Sequence, residues 1–226
     1  MLISDIIGPV MVGPSSSHTA GAVRIGKVCH KLLGETPREA EIRLHGSFLT
    51  TGKGHGTDRA LIAGILGLAV DDARIPVSFT LAEKAGLRFT FGSVDLGGDA
   101  HPNSARIRLT GASGKTVTVE AASIGGGRIR VERLDGMDAS FSGDYPTLIV
   151  RHADHPGLVA RVSLELEKYY VNIANMQLRR SGRGGTAVMV LECDQPIPVI
   201  VLDELRELEG VEKVIYLNLG EEAEHV

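Results

Sequence analysis

Between Thr147 and Leu217 the spacing of apolar residues switches repeatedly between a strand period and a helix period, and that order constrains the fold more than any other feature. Thr147 to His152 and Asn172 to Arg180 read as strands on either side of Gly157 to Tyr169, where Leu158, Val162 and Leu166 recur at helical spacing and Leu164 widens the face. A Gly182-Arg-Gly-Gly185 turn leads to a third strand, Thr186 to Glu192. A helix over Ile200 to Leu208 then precedes a last strand, Val211 to Leu217. The order is βαββαβ, a ferredoxin-like sandwich whose sheet keeps an open edge.

Upstream the text is rich in glycine and turns. Asp135 to Asp144 reads as a linker, which divides the 226 residues into domains 1–143 and 144–226, each long enough to bury a core. In the first domain a helix is expected over about Ser17 to Leu33, stopped by Gly34, followed by a strand over Glu39 to Leu44. A second helix takes in the apolar run Leu61 to Val70 and stops near Asp71 and Asp72. Val77 to Leu81, Leu87 to Phe91 and Arg128 to Leu134 read as strands, and Ala105 to Thr110 with Thr116 to Ala121 reads as a hairpin about Gly111-Ala-Ser-Gly114. Gly125, Gly126 and Gly127 read either as a hinge or as backbone closely approaching a ligand. The fold class is α+β throughout.

Two loops carry groups able to do chemistry. Gly8-Pro-Val-Met-Val-Gly-Pro-Ser-Ser-Ser-His-Thr-Ala-Gly21 places Ser15, Ser16, Ser17 and Thr19 at a helix N-terminus, where free N–H groups and the positive dipole end favour a carboxylate or phosphate. His18 lies in the first turn, where a cation is disfavoured, so a neutral imidazole is expected near pH 7. Gly52-Lys-Gly-His-Gly-Thr-Asp-Arg-Ala60 repeats the arrangement, with His55 ahead of the second helix. An ordinary N-cap and a solvent-facing histidine account for either loop alone.

Composition removes several classes of function. A net charge of −4, with lysine and arginine scattered, gives no nucleic-acid footprint, and 4% aromatic residues without tryptophan offer no stacking platform. The longest apolar stretches are about half of the roughly 20 residues a membrane span needs, and no basic leader opens the chain, so a cytoplasmic location is expected. Cys29 and Cys193 are the two cysteines, one in each domain, too few to hold an iron–sulfur cluster within this chain.

The C-terminal unit resembles an ACT domain, the small ligand-binding module of amino-acid enzymes, through Arg151-His-Ala-Asp-His-Pro-Gly157 and Val171-Asn-Ile-Ala174. By similarity to the serine-binding module of phosphoglycerate dehydrogenase, this implies an effector site at His152, Asp154 and Asn172. Gly13-Pro-Ser-Ser-Ser-His-Thr19, Leu44-His-Gly-Ser47, Lys53-Gly-His-Gly-Thr-Asp58 and His101-Pro-Asn103, in order and followed by the ACT unit, resemble the beta chain of the iron–sulfur-dependent L-serine dehydratases. The resemblance implies an N-terminal domain similar to an allosteric substrate-binding domain. It also implies a heteromer with an alpha chain whose cysteines hold a 4Fe–4S cluster, and a role in amino-acid metabolism and gluconeogenesis.

Removing water and ammonia from L-serine requires loss of the α proton and a hold on the carboxylate. His18 and His55 suit the first, and Ser15, Ser16, Ser17 and Thr19 the second. His45 and His101 read as structural histidines at a strand end and before a proline. A stand-alone amino-acid-binding regulatory protein shares every one of these motifs. Ser-His hydrolysis lacks the Gly-x-Ser-x-Gly elbow. Pairing of two copies through the ACT units is expected.

Overall fold

The computed structural model describes residues 12–220, which form two compact units meeting at Gly136 and Met137. The opening of the first glycine-rich loop, 8–11, lies outside the described residues.

In the first unit a π-helical turn, Ser16–Gly21, runs directly into α1 (Ala22–Leu33), which Gly34 ends in a left-handed conformation. The strand β1 (Pro37–Leu44) follows, then α2 (Gly46–Thr50), α3 (Gly52–His55) and α4 (Thr57–Ile65). A 3-10 turn, Ile75–Val77, opens into α5 (Ser78–Lys84), and β2 (Arg88–Ser93), β3 (Ser104–Gly111), β4 (Thr116–Gly125) and β5 (Arg128–Leu134) complete the unit. These strands lie in the order β2-β1-β3-β4-β5; β1 pairs parallel with β2 and antiparallel with β3. Alternation along the strands sends Ala40, Ile42, Ile107, Leu109, Val117 and Val119 into the core under the helices, and leaves Glu41, Arg106, Arg108 and Glu120 on the other face.

The core depends on how closely α1 and α4 approach. A methyl group on Gly64 would overlap the Val23 carbonyl oxygen and lie 2.8 Å from Lys27 N; one on Gly26 would overlap the Leu61 carbonyl oxygen and lie 2.8 Å from Ile65 N. The helices therefore meet backbone to backbone. Around the crossing Val23, Ile25, Val28, Leu61, Ile62 and Ile65 are fully buried.

Three expectations are corrected here. Val77 to Leu81 is helical, because the buried residues of 75–82, Ile75, Ser78 and Ala82, fall at intervals of three and four, and the Ser78 hydroxyl donates to Arg59 O at 2.8 Å. The second helix stops at Ile65, not near Asp72. Gly67, at φ +85°, donates to Gly64 O, and Leu68 N donates to Ala63 O, the paired bonds of a Schellman ending. The stretch expected to be a linker carries the strand β6 (Met137–Phe141). The triple glycine is a tight β4–β5 turn with Gly126 at φ +61° and Gly127 at φ +75°, the signs a two-residue primed turn demands.

The second unit holds β6, β7 (Thr147–Ala153), α6 (Leu158–Lys168), β8 (Ile173–Arg180), β9 (Thr186–Cys193), α7 (Val199–Arg206) and β10 (Val211–Leu217). From β7 onward the order is βαββαβ, and the sheet order β10-β7-β9-β8 is antiparallel throughout. Leu148, Val150, Met189 and Leu191 pack against Val162 and Leu166 of α6 and Val201 and Leu205 of α7. β9 is nearly continuously buried, since β6 packs against β9 and β8 within the same unit. There Ser142 N and Oγ donate to the buried Glu192 carboxylate at 2.9 and 2.8 Å, and Asn175 Nδ2 donates at 3.0 Å. Among the described residues no helix is long and apolar enough to cross a membrane.

Alanine in place of glycine inside a helix ordinarily stabilises by about 0.5–1 kcal/mol. At position 64 the overlap with Val23 O opposes this, and overpacking costs typically about 1–3 kcal/mol. Gly64→Ala is therefore expected to lower the thermal midpoint, whereas Gly182→Ala, which meets nothing within 4 Å, leaves it unchanged. Thermal denaturation of both variants followed by circular dichroism checks this.

Candidate active site

The π-helical turn gives the first histidine loop its shape. It buries Thr19, Ala20 and Gly21 and leaves Ser16, Ser17 and His18 partly exposed. Ser15, extended at φ −143° and ψ 124°, caps it: its Oγ accepts from His18 N at 3.1 Å. Thr19 is 2% exposed, and its hydroxyl donates to His55 O at 3.4 Å, so it ties the two histidine loops together.

His55 is the last residue of α3, and Gly56, at φ +71°, turns the chain sharply into α4. It thus sits at the end of one short helix as well as at the start of another. Its Nδ1 donates to Thr51 O at 3.0 Å, since a carbonyl can only accept. The two rings expected to act together do converge: their centroids are 4.8 Å apart with 36° between planes. The edge-on ring of buried Phe48, with a centroid separation of 5.4 Å, backs His18.

Behind His18 stand two hydroxyls not identified from sequence as site residues. Ser47 Oγ lies 3.3 Å and Thr51 Oγ1 3.1 Å from His18 Nε2, and the two oxygens are 3.0 Å apart. Both come from the α2 turn, which is held by the 101–104 loop: Ser47 N and Phe48 N donate to Pro102 O at 2.7 and 3.3 Å. Gly46, at φ +54°, permits that approach, because a methyl group there would lie 2.6 Å from Pro102 O. The hydroxyls at positions 47 and 51, one helical turn apart, were the available signal. His45 and His101 are satisfied locally: His45 Nδ1 accepts from Leu96 N at 3.3 Å, and His101 Nδ1 accepts from Asn103 N at 3.1 Å.

Burial, and then the neighbouring His55, push the His18 pKa below its ordinary 6.5, against a smaller opposing contribution from Ser47. His18 is therefore neutral at pH 7. The expected direction holds, and burial leads among its causes, ahead of charge.

In the second unit His152 is 2% exposed; its Nδ1 donates to Ala153 O at 2.7 Å, while Nε2 has no partner among the described residues. Asp154 accepts from Gly184 N at 2.9 Å and Arg180 Nη1 at 3.3 Å, and these bonds hold its carboxyl below the usual range. Asn172 donates to Asp194 at 2.6 Å. The sheet register pairs His152 with Ala187 and sets Asn172 beyond the Ile173–Cys193 pair, at the opposite end of β9. One copy of the chain does not gather these three residues. A groove of about 590 Å³ between α6 and α7, lined by Glu165, Lys168 and Glu204 among others, contains none of the residues expected to act.

A 4Fe–4S cluster does not fit the donors described. Cys29 and Cys193 are buried in separate units, and burial raises both thiols, Cys193 to about 11, away from the thiolate that ligation needs. Among the described residues no group of three His, Cys, Asp or Glu could hold a metal ion.

Comparison with known proteins bears on both units. The family model for the serine dehydratase beta chain matches residues 4–86, and that for the ACT domain matches 146–210. The chain is 41% identical to the probable L-serine dehydratase beta chain of Bacillus subtilis (strain 168), over 94% of this chain and 96% of that one. It is 39% identical to the L-serine dehydratase beta chain of Peptoniphilus asaccharolyticus, over 85% and 87%. A D-3-phosphoglycerate dehydrogenase of Methanocaldococcus jannaschii is 32% identical over 50% of this chain and 22% of its own length.

The His18 pKa sets a sign. Its folded value lies below its unfolded one, so the unfolded chain binds the extra proton first, and this contribution to stability, full above pH 6.5, is lost as pH falls below it. In an NMR titration His18 is expected to protonate below 6.5, and His55→Ala to raise its pKa only partly, since burial remains.

Proposed function

The chain belongs to the L-serine dehydratase beta-chain family, and from that premise we propose that it is the beta chain of an L-serine ammonia-lyase, converting L-serine to pyruvate and ammonia. The observation that carries the reading is the convergence of His18 and His55, 4.8 Å apart, beside a helix start where Ser16 and Ser17 remain partly exposed.

The division of labour follows from what each group has left to offer. A separate alpha chain holds the 4Fe–4S cluster, since the thiols here are buried and apart. This chain supplies a carboxylate anchor and proton transfer. Ser16 and Ser17 meet the substrate carboxylate together with the N–H groups of the first turn. Ser15 and Thr19 shape that anchor, one as cap and the other as a strut to His55. A neutral imidazole removes the α proton, and the imidazolium so formed, directly or through the second ring, gives a proton to the departing β hydroxyl, which leaves as water. The enamine released on loss of water then tautomerises and hydrolyses to pyruvate and ammonia. The soluble metabolite substrate supports a cytoplasmic location.

The ACT unit is the regulatory and pairing element. Domain 144–226 binds a small effector through His152, Asp154 and Asn172, and two copies pair through it. In support of pairing, β8 is an edge strand on which Met176 and Leu178 are 45% and 42% exposed, and Tyr170 just before it is 90% exposed. Light scattering on the full chain is expected to give a dimer. A monomer at high micromolar concentration contradicts the pairing.

The purified chain alone is expected to be colourless and inactive, and to yield pyruvate once combined with an alpha chain. His18→Ala and His55→Ala should each lower turnover by roughly a hundredfold or more, the scale for loss of a general acid or base, with the complex and its cluster absorbance intact. Full turnover in both variants would make the chain a regulatory partner only.

A further inference from the structure

The hydrogen-bond chain behind His18 can be solved one proton at a time. Thr51 Oγ1 lies 2.9 Å from Ser47 O, which can only accept, so the Thr51 hydroxyl proton goes there. In the 3.0 Å contact between the hydroxyls Ser47 must then donate, which uses its single proton. Both oxygens now turn lone pairs toward His18 Nε2, at 3.1 and 3.3 Å, and a bare Nε2 would face two acceptors without a proton among them. All four contacts are satisfied together when Nε2 carries the hydrogen and shares it between Thr51 and Ser47. The His18 lone pair is left on Nδ1. Thr51 also fixes the other ring, for its carbonyl takes the His55 Nδ1 proton and leaves that lone pair on Nε2. One residue thus orients both imidazoles.

We propose that Ser47 and Thr51 are positioning residues that hold neutral His18 as its Nε2–H tautomer, so that His18 takes and gives protons at Nδ1. The functional half rests on the reading that His18 serves proton transfer. The two hydroxyls touch His18 from the side opposite Nδ1 and act through the ring. The Ser47 backbone is held by Pro102 O and the Thr51 N–H in turn donates to Ser47 O, so the positioning reaches back to the His-Pro-Asn loop.

Long-range proton–nitrogen NMR spectra of the full chain labelled with ¹⁵N-histidine, taken above pH 7, read the tautomer directly. His18 is identified by the signals lost in His18→Gln. The wild-type chain is expected to show Nε2–H, and Thr51→Val combined with Ser47→Ala to give a mixture of tautomers. Thr51→Ser, which keeps the hydroxyl, restores the single form. With an alpha chain, kcat of the double variant is expected to fall roughly ten- to a hundredfold, the scale seen when the group orienting a functional imidazole is lost, and to recover in Thr51→Ser. An Nδ1–H tautomer in the wild-type chain, or a spectrum unmoved by the double substitution, would overturn the positioning. The first of these needs no variant to fold. A released tautomer with undiminished turnover would instead overturn the role of His18 in proton transfer.

Discussion

The first unit depends on one contact, the crossing of α1 and α4 at Gly26 and Gly64. At a crossing with ordinary side chains the two helices stand apart by the thickness of those chains. Here each glycine faces the other helix's backbone with no room for a methyl group. The histidine loops open these two helices, so the separation of the helices fixes that of the loops. A second close approach works the same way: Gly21, at the end of the π turn, lies so near Ser123 of β4 that a methyl group there would be 2.7 Å from Ser123 Cβ. The helix start that carries His18 is thereby seated on the sheet.

On this base the site is built by hydrogen bonds in sequence. Pro102 O holds the α2 turn, that turn presents Ser47 and Thr51, and these hold His18 while the Thr51 carbonyl holds His55. Thr19 closes the circuit to His55 O. Imidazoles at this separation repel when both are charged, which joins burial in keeping His18 neutral. Neutrality and orientation together give a base able to act near pH 7. The thiols, by contrast, are buried as small hydrophobic side chains and supply no ligand.

The second unit was the more legible in sequence. Its strands β7 and β9 are dense in apolar residues, its helix α6 carries apolar residues at 158, 162 and 166, and its turn is marked by glycines, so local preference and final fold agree. In the first unit the two histidine loops were readable from glycine, serine and histidine at helix starts. Their meeting was not, because the crossing that joins them depends on two glycines that resemble any others in a helix. Ser47 and Thr51 stayed hidden, because the helical turn that presents them is held by Pro102 from another part of the sequence. The strand expected at Val77 to Leu81 failed for lack of length: five residues cannot separate the two periods, and Pro76 begins a turn there. Likewise Asp135 to Asp144 looked polar enough for a linker, yet Ser142 is turned inward on the buried carboxylate of Glu192.

The central claim is that the paired imidazoles handle the proton at the α carbon of L-serine. It is tested most directly by the isotope effect on kcat/KM with L-serine deuterated at that carbon, using the chain combined with an alpha chain and its His18→Ala and His55→Ala variants. If an imidazole removes that proton, at least one slowed variant must show a primary isotope effect, because proton removal has become its limiting step. Slowed variants that consume the deuterated and ordinary substrates at the same rate would contradict the account.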